Sequence, residues 1–401
     1  VWSSLASSAL ATTYVVDSNG GGQFTDIQPA IDAAQPGDVL LVLTGSYGSF
    51  TLTKGLTIIG FAAPAVAGAA SILGIPPDET AVVVNFHPSL LSIGGCMGPV
   101  LVQDVSSAAH VDVQQSADVR LLRVSAQPPA GPTVNGCTVN GSRVEIARCV
   151  FGGSDVPACT PSRPPDGGIG LRLSHTCRVQ VALSQIGGGS GSLCFDNNLY
   201  GGSGNSGILL GMGDMLFLAG GGLSHITGGG SGGDAGLFNC RHDGVSGAGI
   251  YNDGGELWYS GATIYGPPFY VGHGCQMFDG VAIGGQGGTL VTPDDPTLDV
   301  QADATAGGSA MYTLRAPPGA TAILYFGRHA IVTPTPHVLI EQLTPKSRVV
   351  NLGTIPASGQ ATFTWPIAAG LPPGTLWIAQ SEVTLASGEA RRTNSVPVVL
   401  H

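Results

Sequence analysis

The sequence predicts an all-β chain: a right-handed parallel β-helix with a short N-terminal cap helix, followed by a smaller β-sandwich. Three observations point there. First, 63 of 401 residues are glycine and only 10% are charged, yet interspersed Val, Ile and Leu exclude a collagen or a disordered polymer. Second, short alternating apolar runs recur, starting at Val100, Val119, Val144, Val179, Leu216 and Leu257. Their starts are 19, 25, 35, 37 and 41 residues apart. A repeating coil of about 20 residues sets the minimum, and the excess must leave the core as loops on one side. Third, the glycine repeat stops around Thr292-Pro293-Asp294-Asp295-Pro296 and a different strand pattern begins.

The expected organisation is an N-terminal arm or signal-peptide remnant over 1–12, the solenoid over 13–293 and the sandwich over 297–401. The first eleven residues end in an Ala-x-Ala pattern, as at a signal-peptide cleavage site after Ala11. The same stretch places Trp2, Leu5 and Leu10 at helical spacing, which suits a small amphipathic arm for assembly. In the next segment Thr25 or Asp26 can cap a helix whose one face carries Ile27, Ala30, Ile31 and Ala34. Pro36-Gly37 stops it before the strand Val39–Leu43. Such a helix covers the open end of a solenoid.

Residues 13–60, from Thr13-Tyr14-Val15-Val16-Asp17 through Pro36-Gly37-Asp38-Val39 to Lys54-Gly55-Leu56-Thr57-Ile58-Ile59-Gly60, resemble the opening of the pectin-lyase-like β-helix superfamily. That resemblance implies the parallel β-helix fold and brings an expectation of polysaccharide cleavage, although fold alone does not carry activity. Downstream, glycine concentrates in Gly187–Gly191, Gly201–Gly204, Gly228–Gly233 and Gly284–Gly288. None opens a helix followed by Lys-Ser/Thr, so these are read as turn glycines rather than phosphate cradles. Beyond residue 296, runs at Ala310–Leu314, Ala320–Phe326, Val349–Leu352, Ala361–Trp365, Leu376–Glu382 and Val396–Leu400 alternate with Pro/Gly turns. They describe a sandwich of immunoglobulin-like size, similar to accessory modules of secreted bacterial proteins.

Eight cysteines, Cys96, Cys137, Cys149, Cys159, Cys177, Cys194, Cys240 and Cys275, show neither CxxC nor Cys/His zinc spacing. An even set without metal spacing reads as disulfides in an oxidising, extracellular or cell-surface location, in preference to metal ligation or free buried thiols. Bridges are expected mainly among Cys159, Cys194, Cys240 and Cys275, one per long insertion. Net charge is −11 and only Lys54 and Lys346 are lysines, which disfavours nucleic acid as a partner. No stretch of 18 apolar residues predicts a transmembrane segment.

Catalytic signals are sparse. Gly272-His273-Gly274 is similar to a polygalacturonase motif, with Asn252-Asp253 twenty residues earlier. The aspartate pair between them and the following Arg-x-Lys that the resemblance implies are missing. From Val179 to Leu314 the only cation is Arg241, against eleven acidic residues. A polyanionic substrate would be repelled there unless calcium bridged it. For a neutral glycan, two carboxylates about 5–10 Å apart suffice; Asp243, Asp253, Glu256 and Asp279 are the nearest candidates, with His242 and Arg241 beside them, and loop-tip turn chemistry is the competing explanation. Asp196-Asn197-Asn198 offers oxygens to calcium without a complete ligand set, so no cofactor is assigned. The resulting expectation is a secreted, non-catalytic structural or adhesive protein that self-associates into fibres or arrays. A polysaccharide-active enzyme is the alternative, as is a glycan-binding module using Trp258, Tyr259, Tyr265, Phe269 and Tyr270.

Overall fold

The computed structural model describes the chain apart from residues 1–10, 108, 157–165, 193–202, 220–223, 230–246, 261, 267–282, 292–295, 303–304, 306, 328–329, 335–338, 344–347, 372–374, 394–395 and 401. It is nearly all β: one parallel sheet of 23 strands, followed by antiparallel sheets of three, five and two strands. Among the described residues no helix is long and apolar enough to cross a membrane.

The parallel strands form three ladders. In the first, Val100, Val119, Val144, Val179, Leu216 and Leu257 stand in register on successive strands, so the six run starts noted above are one column of equivalent positions. The second ladder stacks Leu91, Val111, Cys137, Leu171, Ile208 and Ile250. The third stacks Ser107, Ala126, Phe151, Ile186, Ile226 and Ile264. Alternation sends Val119 and Leu121, Val144 and Ile146, and Val179 and Val181 into one continuous apolar core. At the N-terminal end the helix α1, Ile27–Ala33, buries Ile27, Ala30 and Ile31, and the Asp26 side chain caps it by accepting from Ile27 N.

The chain turns from the second ladder to the first, and from the first to the third, through two corners of the same design. Each corner has a residue at positive φ followed by a buried one. In one, Gly95, Gln115, Gly141, Thr176 and Gly213 take positive φ and are followed by Cys96, Ser116, Ser142, Cys177 and Asp214. Cys96 N donates to Ser116 Oγ, Ser116 N to Ser142 Oγ, and Cys177 N to Asp214 Oδ1. In the other, Asn85, Asp104, Arg123, Arg148 and Leu183 are at positive φ. There Val124 N donates to Cys149 Sγ, Cys149 N to Ser184 Oγ and Ser184 N to Ser224 Oγ. Side chains inside the core thus satisfy the amides that each corner removes from the ladders.

These corners correct the disulfide expectation for four cysteines. Cys96, Cys137, Cys149 and Cys177 are free, buried thiols; Cys96, Cys149 and Cys177 lie close to backbone carbonyls in the corners, and Cys137 faces the core from the second ladder. Each takes a Ser or Val position of its column, a role for a small side chain rather than a cross-link. Cys159, Cys194, Cys240 and Cys275 lie outside the described residues. Burial pushes the Cys149 thiol up to about 12 and raises Cys137 and Cys177 as well, so the reactive thiolate is scarce at neutral pH. In native protein at pH 8, peptide mapping after iodoacetamide treatment should find none of the four alkylated, and all four after unfolding. Alkylation within minutes in the native state would contradict their inward placement.

Asp214, the acidic member of its column, is fully buried and accepts from Cys177 N at 2.8 Å and Gly211 N at 3.0 Å. Burial nonetheless raises its pKa above the ordinary 3.8, against the lowering effect of those hydrogen bonds. A raised folded pKa means the fold binds this proton more tightly than the unfolded chain does. The stability it contributes is therefore full below pH 3.8 and is lost as pH rises through the folded value. The stability of the parent chain minus that of Asp214→Asn should fall as pH climbs from about 4 toward 7, measured by urea unfolding. A flat difference would remove the titration from the account.

Between the third ladder and the second, the outgoing and incoming backbones of each insertion form a stem. Gly168 N donates to Ser154 O, Gly189 N to Gly168 O, Asn205 N to Gly189 O, Gly229 N to Asn205 O and Gly247 N to Gly229 O, at 2.7–3.1 Å. The bonds alternate between outgoing and incoming segments. The glycine runs read as turns serve here for close approach: a Cβ on Gly188, Gly189, Gly228 or Gly229 would sit 2.0–2.2 Å from a backbone carbonyl oxygen.

The antiparallel part has its own core, including Leu298, Tyr312, Leu324, Phe326, Ala379 and Val398. Trp377 Nε1 donates to the Tyr312 hydroxyl at 2.8 Å, and Phe326 and Trp365 pack with ring centroids 4.3 Å apart. The expected run Ala310–Leu314 lies inside the strand Ser309–Arg315, and Ala361–Trp365 inside Gln360–Pro366. The strands Thr297–Ala302, Ala330–Pro334 and Leu339–Leu343 were not foreseen.

Candidate functional site

The outer face of the first ladder is the longest continuous face the parallel strands offer. On a sheet with one wet side, the residues alternating with the core would be exposed. Here Val82, Val84 and Leu101 on the early strands, and Arg120, Leu122, Glu145, Ala147, Gln180 and Ala182 on later ones, are all buried. The face therefore has an apolar early part, where Val82, Val84 and Leu101 form a cluster of their own, and a charged later part. Two contacts show the C-terminal antiparallel part against it: Arg148 pairs with Asp299, and the strand Leu339–Leu343 lies beside Arg178–Ala182.

In the charged part, Arg120 Nη2 donates to Asp118 Oδ2 at 2.9 Å, and its Nε stands 3.9 Å from Glu145 Oε2. Arg120 and Glu145 face each other across adjacent strands, and Gln180 follows Glu145 on the next. All three charged side chains are at most 13% exposed, so solvent screens them little. Gln103, one strand earlier, donates to Asp104 at 2.9 Å. At the adjoining corner Asp104 receives two hydrogen bonds from Arg123, the longer at 2.8 Å. One coil later, Arg148 reaches away from the ladder to Asp299.

Of the residues singled out as catalytic, Asp253 and Glu256 are described. Asp253 is exposed within the strand Ile250–Ser260, just ahead of Gly254 at positive φ. Glu256 begins the first-ladder stretch of its strand, opposite Met215 and Thr289. Next to Asp253 the buried Asn252 closes on the backbone, its amide donating to Gly255 O and its carbonyl accepting from Gly255 N. His175, at φ +63°, and the exposed His225 are likewise turn and strand residues. Tyr265 is 52% exposed on the third ladder. Asp243, Asp279, His242, Arg241, His273, Phe269, Tyr270, Trp2, Leu5, Leu10 and Asp196-Asn197-Asn198 lie outside the described residues. Among the described residues no three His, Cys, Asp or Glu side chains gather as a metal site.

The fold and this face define the class as an all-β protein whose large parallel sheet is consistent with a solenoid and is followed by separate antiparallel sheets. No protein-family model matches the chain, and no curated protein matches it at a significant level. Arg120, Glu145 and Arg148 are not among the residues that the sequence singles out. The signal was available: Arg143-Val144-Glu145 and Arg178-Val179-Gln180 repeat Arg-Val-polar at strand starts, and Leu122-Arg123-Val124 and Ala147-Arg148-Cys149 repeat a charged residue at the corner.

Proposed function

We propose that the three ladders are the faces of a right-handed parallel β-helix of the pectin-lyase-like kind, that the antiparallel sheets form an immunoglobulin-like β-sandwich, and that the protein is a secreted, non-catalytic structural or adhesive rod that self-associates. Support for the winding comes from the single repeated order, second ladder to first to third, with glycine-lined stems leaving at one position of each coil. The observation that carries the functional reading is the buried outer face of the first ladder. A polymer processed along the rod needs that face open, with an acid and a base free to reach it. Instead its side chains are covered, and Asp118, Arg120 and Glu145 are engaged with one another.

The test has two arms. Purified protein incubated with a panel of neutral and acidic glycans should release neither reducing ends nor unsaturated products; turnover on any of them sinks the non-catalytic reading. Electron microscopy of native material should show joined rods rather than single particles, with assembly lost on deleting residues 1–11. Isolated rods at all concentrations would remove self-association while leaving the first arm standing.

A further inference from the structure

We propose that Arg148 and Asp299 form an electrostatic latch that seats the C-terminal antiparallel part on the outer face of the first ladder, and that the seat is releasable. The column to which Arg148 belongs sets it apart. Asn85, Asp104, Arg123 and Arg148 all hold positive φ, a conformation that disfavours a long side chain unless its surroundings hold it there. Asn85 bonds to Gly60 O and Asp104 bonds to Arg123, both within the ladder. Only Arg148 of these four pairs with a residue 151 positions along the chain, in the antiparallel part.

The ground around the latch fits a close-seated partner. Ala147 and Ala182 point outward on adjacent strands and are 3% and 0% exposed, small enough to let a strand approach, and Leu339–Leu343 runs beside Arg178–Ala182, the strand that carries the second of them. The charges under the seat make release feasible. Arg120 has Asp118 and Glu145 as partners within the ladder, so charge pairing there does not depend on the cover alone. An interface built for permanence would be apolar at this point, whereas contacts between parts of one chain that separate are polar.

The test uses the full chain with Ala182→Cys as a reporter, its alkylation rate read by peptide mapping under native conditions. In the otherwise unchanged chain the reporter should react slowly. Adding Arg148→Asp, which suits positive φ better than most side chains, should raise the rate at least about tenfold, since losing a paired charge at an interface changes an equilibrium by that order or more. Adding Asp299→Arg to that variant should restore slow labelling. An unchanged rate with Arg148→Asp, or no restoration by the reversed pair, overturns the latch. Should the reporter not fold, small-angle scattering of Arg148→Asp and of the reversed pair gives the same decision: expansion in the first and recovery in the second, or no latch.

Discussion

Gly189→Ala should cost the parallel sheet about 3 kcal/mol or more, because the new methyl overpacks a site without slack and breaks hydrogen bonds around it. Its Cβ would lie 2.0 Å from Ser154 O and 2.5 Å from Ser154 C. These are backbone atoms, so no rotamer change relieves the clash and the stem itself must part. Ser154 O accepts from Gly168 N, Gly189 N donates to Gly168 O, and Gly189 O accepts from Asn205 N. Displacing one segment therefore strains bonds to the coils on both sides. Gly131→Ala is the control: its nearest neighbour would be Pro129 O at 4.0 Å, and the change should stay within about 0.5 kcal/mol. Urea unfolding of the two variants against the parent decides it. A Gly189→Ala midpoint indistinguishable from that of Gly131→Ala would mean the stems carry no tension.

That contrast also shows where the sequence was legible. A strand that buries one side announces itself by alternation, which is why Val119, Val144, Val179, Leu216 and Leu257 could be aligned before any coordinates and then proved to stand in register. The cap helix was readable for the same reason, since Asp26 and the Ile27, Ala30, Ile31 face are local features. Glycine frequency was readable, but its purpose was not. A glycine required for positive φ and one required because a carbonyl from another coil sits 2.0 Å from its missing Cβ look alike in one dimension.

The outer face was harder. Arg120, Glu145 and Gln180 alternate with core residues, and alternation assigns polar residues to water. Tertiary cover reverses that assignment, and Leu339–Leu343 lies beside the strand that carries Gln180. The corners were concealed by composition: Asp104, Arg123 and Arg148 occupy positive φ without being glycine or asparagine, so no punctuation marks the turn. The cysteines misled for a related reason. Evenness of number suggests pairing, whereas Cys96, Cys149 and Cys177 substitute for serine or valine in internal columns, a role visible only once the coils are stacked.

Replacing Arg120 by methionine should destabilise the protein by about 3–5 kcal/mol, the usual consequence of removing one partner from a buried charged group. The change leaves Asp118 and Glu145 on a covered face without the cation that stands between them, and their side chains are only 13% and 9% exposed. Two carboxylates that repel in a covered position are relieved by taking up a proton. Groups whose folded pKa is raised favour the fold at low pH and oppose it once pH passes the folded value. The deficit of Arg120→Met relative to the parent should therefore be largest at pH 7 and shrink toward pH 4, where the carboxylates take up protons. Removing the acids as well, in Arg120→Met with Asp118→Asn and Glu145→Gln, should recover much of the loss at pH 7 and flatten its pH dependence. Should the single variant lose the same stability at both pH values, the arginine contributes through the packing of its aliphatic stem under the C-terminal part, and the two acids already find sufficient compensation elsewhere on the ladder.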